Sequence, residues 1–291
     1  MQAIVYYISL PFIYLISIFP FWLLYRVSDL FYFIIYILLG YRKNIVVQNL
    51  KKSFPEKTDE EIAEITKQFY VFFCDWIVET IKSITISRST AIKRCHFTST
   101  EILDKYYKSN KKLIFVMGHM GSFELGGAAI STHTNYQLYI IFKPLSNKYF
   151  DRLIKQKRIR FNNKVIAMND TFRTMIRLKG TKELNATLFI ADQTPPKNNA
   201  YWTTFLNQDT PIFWGTEIIA KKLNYPIVYL SIKQPKRGYY EITPELLCDK
   251  PSQTLKGEIS EMHTKRLEQD IKNQPEIWLW SHRRWKHDKP E

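Results

Sequence analysis

From residue 111 onward the chain alternates short, continuously apolar runs with helix-patterned stretches, and this alternation restricts the fold more than any other feature. The runs Leu113–Met117, Gln137–Ile141, Ala186–Ile190 and Pro226–Leu230 have the length and hydrophobicity of strands buried on both faces. Helical segments are expected between them, near 121–133, 147–162, 170–180 and 212–224. Strands that need cover on both sides, with a helix before each next strand, imply an α/β fold: a mostly parallel central sheet flanked by helices. No repeat, low-complexity tract or linker interrupts the pattern, so residues 42–291 read as one domain.

The N-terminus obeys different rules. The first 25 residues hold no Asp, Glu, Lys or Arg, and Val5–Leu24 is long enough as a helix to cross a hydrocarbon core of roughly 30 Å. A signal peptide is the alternative, but a basic leading segment and a small-x-small cleavage site are both missing. Pro11 and Pro20 would kink a spanning helix, and the second apolar run, Leu30–Leu39, is too short to span by itself. Residues 1–41 are therefore expected to be a membrane anchor, either transmembrane or interfacial. Arg26 and Asp29 cancel within it, so the whole net charge of +15 falls on residues 42–291. By the positive-inside rule that bulk belongs on the cytoplasmic side.

A balance of 42 Lys plus Arg against 27 Asp plus Glu calls for an acidic partner: anionic lipid, an acidic carrier or nucleic acid. No RNP or helix-turn-helix signature is present, so nucleic acid is not expected. Cys74, Cys95 and Cys248 are isolated, which indicates neither a disulfide framework nor a zinc knuckle and fits a reducing compartment. After Pro55, Thr58 and Glu61 form a capping box, followed by a helical stripe of Ile62, Ile65, Phe69, Phe72, Phe73, Trp76 and Ile77. Core packing and a lipid-facing surface are both open readings of so aromatic a stripe.

The candidate chemistry lies where the first strand ends, in Val116-Met-Gly-His-Met-Gly-Ser-Phe-Glu124. Five positions on a regular helix would set His119 and Glu124 about 140° apart, which is wrong for a helical metal pair. With His119 on the turn leaving the strand and Glu124 on the first turn of the next helix, the chain can fold back. The carboxylate would then orient the imidazole and leave its other nitrogen free to take a proton from a hydroxyl. Gly118 and Gly121 permit the tight turn and a close approach of substrate. The carboxyl end of a parallel strand is where open α/β sheets place their sites. These two residues do not complete a metal site, and no HExxH or HxH occurs elsewhere, so no metal is expected.

Taken together, the hydrophobic N-terminus, Gly40-Tyr-Arg-Lys43, Asn49-Leu50, Phe54-Pro55, Gly118-His-Met-Gly-Ser-Phe-Glu124, Lys157-Arg-Ile-Arg160, Ala191-Asp-Gln193 and Trp278-Leu-Trp-Ser-His-Arg-Arg-Trp-Lys286 resemble the lipid A biosynthesis acyltransferases of the lauroyl and myristoyl type. These belong to the wider glycerolipid and lysophospholipid acyltransferase superfamily. The resemblance covers nearly the whole chain. It implies transfer of a fatty acyl chain from acyl carrier protein, or from coenzyme A, to a hydroxyl on a lipid A precursor, at the bacterial inner membrane on its cytoplasmic face. The thioester is a co-substrate, and no cofactor is implied. Catalytic roles are implied for His119 and Glu124 as a dyad and for Arg158 as oxyanion or thioester-positioning residue, with Arg160 second. Asp192 and Gln193 are placed at the site edge, Asp192 orienting an arginine or a sugar hydroxyl. Gly121 approaches substrate, and Arg283, Arg284 and Lys286 meet the acceptor's phosphates.

The Trp residues of the last motif also fit an interfacial anchor at headgroup depth. Glycerol phosphate acyltransferases typically carry Glu-Gly-x-Arg where this chain has Ala191-Asp-Gln-Thr194, which disfavours a small glycerol phosphate acceptor. The family's common Phe-Gly-Asn-Trp-Glu is Met120-Gly-Ser-Phe-Glu124 here, which leaves acyl length and acceptor open between lipid A and another glycolipid or lysophospholipid. A nonenzymatic, basic, membrane-bound binding protein is the reading from another class.

Overall fold

The computed structural model describes residues 2–196 and 200–290. Two helices open the chain, α1 (Gln2–Ile18) and α2 (Phe21–Tyr32), the second prolonged by a π-helical stretch over Phe33–Leu38. Pro11 stays inside α1, whereas Pro20 adopts an extended ψ of 154° and separates the helices. Val5–Leu24 is thus not the single run expected. Among the described residues, the helix long and apolar enough to cross a membrane is formed by the 18 residues Phe21–Leu38, about 27 Å at 1.5 Å per residue. The short run Leu30–Leu39 is its second half.

Next come α3 (Lys43–Ser53) and the long α4 (Asp59–Lys82). The capping box at its start is formed, with Glu61 N–H donating to Thr58 Oγ1 at 3.2 Å and Thr58 N–H to Glu61 Oε2 at 2.9 Å. Ile62, Ile65, Phe69, Phe72 and Phe73 are buried, which decides the aromatic stripe for core packing.

α1 and α2 are fastened to α4 by polar groups that an apolar face cannot leave unpaired. Ser28 donates to Asp75 at 2.6 Å, and Arg237 bridges Asp75 and Asp29 at 2.7 Å each. Glu79 accepts from Tyr25 and Tyr240 at 2.8 Å each, and Lys82 donates to the Ser17 and Phe19 carbonyls. Burial, and the charge of Asp75, push the Glu79 carboxyl up to about 7 despite these donors. A folded-state value above the unfolded one means that the folded protein holds a proton which the unfolded chain releases. The Glu79 contribution to stability is therefore full below about pH 4.5 and lost as pH rises through 7. Glu79→Gln is expected to reduce the fall in melting temperature between pH 5 and pH 7.5, and thermal melts of both proteins at both pH values check this.

The chain continues through α5 (Arg88–Arg94), β1 (Cys95–Phe97) and α6 (Glu101–Lys108) into β2 (Leu113–Met117), α7 (Phe123–His133), β3 (Gln137–Phe142), α8 (Lys148–Ile159), β4 (Lys164–Ala167), α9 (Thr171–Lys179) and β5 (Asn185–Ile190). A hairpin, β6 (Ala200–Phe205) and β7 (Gln208–Phe213), leads to α10 (Gly215–Leu223), β8 (Ile227–Lys236), β9 (Tyr239–Cys248) and α11 (Glu258–Asn273). Among the described residues seven strands form one sheet in the order β1-β9-β8-β2-β5-β3-β4, parallel except where β8 and β9 pair as a hairpin. The α/β expectation holds.

Alternation along β2 separates two layers. Phe115 and Met117 face the cluster built on α4 and α7. Ile114 and Val116 face the other side, with Met175 of α9 and Ile219 and Leu223 of α10. α2 shares the α4 side.

Candidate active site

Strands β2 and β5 are neighbours in register, Met117 opposite Ile190. Two residues beyond each, at the carboxyl edge, the chain places His119 and Asp192 side by side. The His119 Nδ1 and Asp192 Oδ1 are 2.5 Å apart, and Asp192 Oδ2 accepts the His119 backbone N–H at 2.9 Å and Trp278 Nε1–H at 2.8 Å. Burial alone would raise this carboxyl. The imidazole and these donors instead hold it well below the usual carboxylate range. A carboxylate on Nδ1 fixes the tautomer with the proton there and turns the Nε2 lone pair outward. Gln193 Nε2 meets that nitrogen at 3.2 Å, so its amide N–H occupies the position an acceptor hydroxyl would take.

The loop between is shaped by close packing. A side chain at Gly118 would strike Leu267 at 2.5 Å, and Gly121, at φ +55°, would strike Ile232 at 2.8 Å. The Gly121 N–H donates to the Ile277 carbonyl at 2.9 Å, so it is engaged within the protein rather than facing substrate.

Glu124 sits on the first turn of α7 as expected, but its partners are not. It pairs with Lys157 at 2.8 Å and Arg158 at 2.7 Å, both on α8, and the carboxylate on the imidazole is Asp192. The expected His119–Glu124 contact is thereby corrected. The physical reason is burial: a carboxylate sealed between α7 and α8 needs cations, and Lys157 is itself buried. Burial would raise the Glu124 carboxyl, yet the two cations hold it well below its ordinary range.

A narrow cleft opens beside this ion triplet, lined chiefly by Phe123, Gly127, Ile140, Phe161 and Leu188 together with Glu124, Lys157 and Arg158. Phe123 links the two halves of the site, since its ring also meets the His119 ring edge to face at 4.9 Å.

The remaining expected residues divide. Arg160 donates to the Ser83, Ile84 and Ile86 carbonyls and so ties α8 to the end of α4. Arg284 is buried and donates to the Pro211 carbonyl at 2.7 Å, with burial lowering its pKa to about 10. Arg283 and Lys286 are exposed. Trp278 and Trp280 are core residues, not headgroup anchors. Their backbone is clamped from the N-terminal side: Asn49 donates to the Trp280 and His282 carbonyls at 2.9 and 3.1 Å, and Arg42 to the Ser281 carbonyl at 2.9 Å. Sequence reading missed Trp278 and Lys157 as partners of the two carboxylates. No local pattern marks either: Trp278 reaches Asp192 only through the fold, and Lys157 is buried only where α8 meets Glu124 of α7.

The family model described as bacterial lipid A biosynthesis acyltransferase matches residues 1–287. The lipid A biosynthesis palmitoleoyltransferase of Escherichia coli (strain K12) and the lipid A biosynthesis acyltransferase of Shigella flexneri are each 23% identical to this chain over 249 residues, which is 84% of the chain and 79% of each relative. With a match over almost its entire length, on a mostly parallel sheet that carries an imidazole and a carboxylate at the carboxyl ends of adjacent strands, the chain belongs to the bacterial lipid A biosynthesis acyltransferase family and is an acyltransferase.

Proposed function

We propose that the protein moves a fatty acyl chain from a thioester, on acyl carrier protein or coenzyme A, to a hydroxyl of a lipid A precursor at the cytoplasmic face of the inner membrane. The observation that carries the mechanism is the Asp192 carboxylate on Nδ1 of His119, which leaves Nε2 as the base. The acceptor hydroxyl displaces the Gln193 amide and gives its proton to Nε2. Its oxygen bonds to the thioester carbon, and the carbonyl electron pair moves onto oxygen. When the tetrahedral oxyanion collapses, the carbon–sulfur bond breaks and the thiolate takes the proton back from Nε2. Arg158, held in place by Glu124, is suited to stabilise the oxyanion.

The apolar cleft next to Phe123 suits the acyl chain, while Arg283 and Lys286, both exposed, suit the phosphates of the acceptor. Residues 1–41 serve as the membrane anchor of this reading, and anionic lipids attract the basic domain behind it. Purified protein mixed with acyl carrier protein thioester and lipid A precursor tests the proposal: wild type forms the acylated product and folded His119→Ala does not. Equal activity in the variant would overturn the mechanism.

Gly127 lines the cleft, and a methyl there would meet Ile140 at an ordinary contact distance of 3.6 Å, so a branched side chain would narrow the cleft. Gly127→Val is expected to lower kcat/KM for the longest accepted chain about tenfold relative to one shorter by two methylenes. Mass spectrometry of products from mixed donors reads this out.

A further inference from the structure

The two faces of the sheet expose different basic surfaces. On the anchor side, α8 packs its Tyr149 ring against Tyr6 of α1, so its cations lie beside the apolar helices. The opposite face carries α9 and α10, which cover Ile114 and Val116. On α9 the buried side is Thr171, Met175 and Leu178. Its outer side bears two adjacent stripes at i, i+4 spacing: Phe172 and Ile176, 48% and 39% exposed, and the exposed Arg173 and Arg177. Residues 171–182 hold four cations and no acid. Ile218 of the adjoining α10 adds a further apolar side chain, 47% exposed. Phe172, Ile176 and Ile218 thus stand exposed beside two arginines. Apolar and cationic stripes together fit an acidic protein surface better than a phosphate backbone.

The position fits as well. Because β4 runs parallel to β2 and β5, α9 begins at the same carboxyl edge that holds His119 and Asp192. In the order β2-β5-β3-β4, β4 is two strands from β5 and three from β2, about 10 and 14 Å at the usual strand spacing. A carrier seated on α9 would meet the helix at the end nearest that edge, and it would approach from the side away from α1 and α2.

We propose that the outer face of α9, extended by Ile218 of α10, is the docking surface for an acidic carrier protein that delivers the acyl thioester. This rests on the thioester-dependent reading above. The test is steady-state kinetics of the full-length protein and of its Arg173→Glu/Arg177→Glu and Phe172→Ser variants, with acyl chains presented on acyl carrier protein and on coenzyme A. Charge reversal is expected to lower kcat/KM for the carrier-bound donor by about 10- to 100-fold and to abolish its decline with added salt, with the coenzyme A rate unchanged. Phe172→Ser is expected to lower the same carrier-bound rate without altering its salt dependence. Sedimentation with vesicles containing anionic lipid is expected to be unaffected in all variants.

Equal losses with both donors, no loss with the carrier, or a loss of vesicle binding would each overturn the docking surface. A wild-type protein that uses acyl coenzyme A but not the carrier thioester refutes the carrier as donor and the surface with it. A protein inactive with either donor refutes the thioester reading itself.

Discussion

Asp192→Asn is expected to lower kcat by about 10³- to 10⁴-fold in a protein that still folds. The carboxylate does three things at once: it accepts from Nδ1 of His119, from the His119 backbone N–H and from Trp278 Nε1. An amide of the same shape retains one acceptor oxygen. That oxygen can serve the backbone and Trp278, and the NH₂ group then faces Nδ1 and favours the tautomer with its proton on Nε2. The base is thereby blocked while the pocket keeps its form. KM should change far less than kcat, because neither the apolar cleft nor the exposed cations depend on this carboxylate. Steady-state kinetics with saturating donor and acceptor, alongside circular dichroism of the variant, check both halves of the expectation.

The second large effect concerns Glu124, and it appears in stability before it appears in rate. Glu124→Gln leaves Lys157 buried without its counter-charge, a change that costs about 3–5 kcal/mol, or roughly 10 °C in melting temperature for a chain of this size. Replacing the pair together, Glu124→Gln with Lys157→Met, is expected to restore most of that stability, because an apolar isostere removes the buried charge itself. Activity is expected to stay low in the double variant, since Arg158 has lost the carboxylate that holds it. The pH dependence follows from the lowered carboxyl of Glu124: its contribution to stability is present above the ordinary carboxylate range and is lost as pH falls through and below about 4. The acid limb of a wild-type melting curve should therefore be steeper than that of Glu124→Gln.

Much of the sheet was legible because its central strands are apolar on both faces. Leu113–Met117 coincides with β2, and the runs ending at Ile141 and Ile190 differ from β3 and β5 by one residue. β9 is less visible in sequence, because it alternates buried with half-exposed residues and contains Pro244. Its hairpin with β8 turns at Arg237-Gly238, a glycine-bearing turn that does mark the place. The helix expected over 212–224 begins only at Gly215, since Pro211-Ile-Phe213 belongs to β7.

At the site, His119 was readable from its place at the end of a buried strand. Its partner was not, because Glu124 is near in sequence whereas Asp192 is near only through the pairing of β2 with β5, and the order of strands in a sheet is not the order in the chain. The same limit hid Trp278. Aromatic residues beside Arg and Lys suggest a lipid interface by composition, but the indole N–H of Trp278 is used inside, on the carboxylate that orients the base. The resemblance implies a phosphate contact for Arg284, whereas the residue is buried and donates to the Pro211 carbonyl, a partner that no local pattern reveals.

The most direct test is nitrogen NMR of histidine-labelled protein, with the His119 signals assigned by their disappearance in His119→Ala. The neutral ring should carry its proton on Nδ1 in wild type and in the Glu124→Gln/Lys157→Met double variant, and that preference should be lost in Asp192→Asn. An imidazole indifferent to Asp192, or one whose tautomer changes only when Glu124 is replaced, would contradict the assignment of Asp192 as the residue that makes His119 a base.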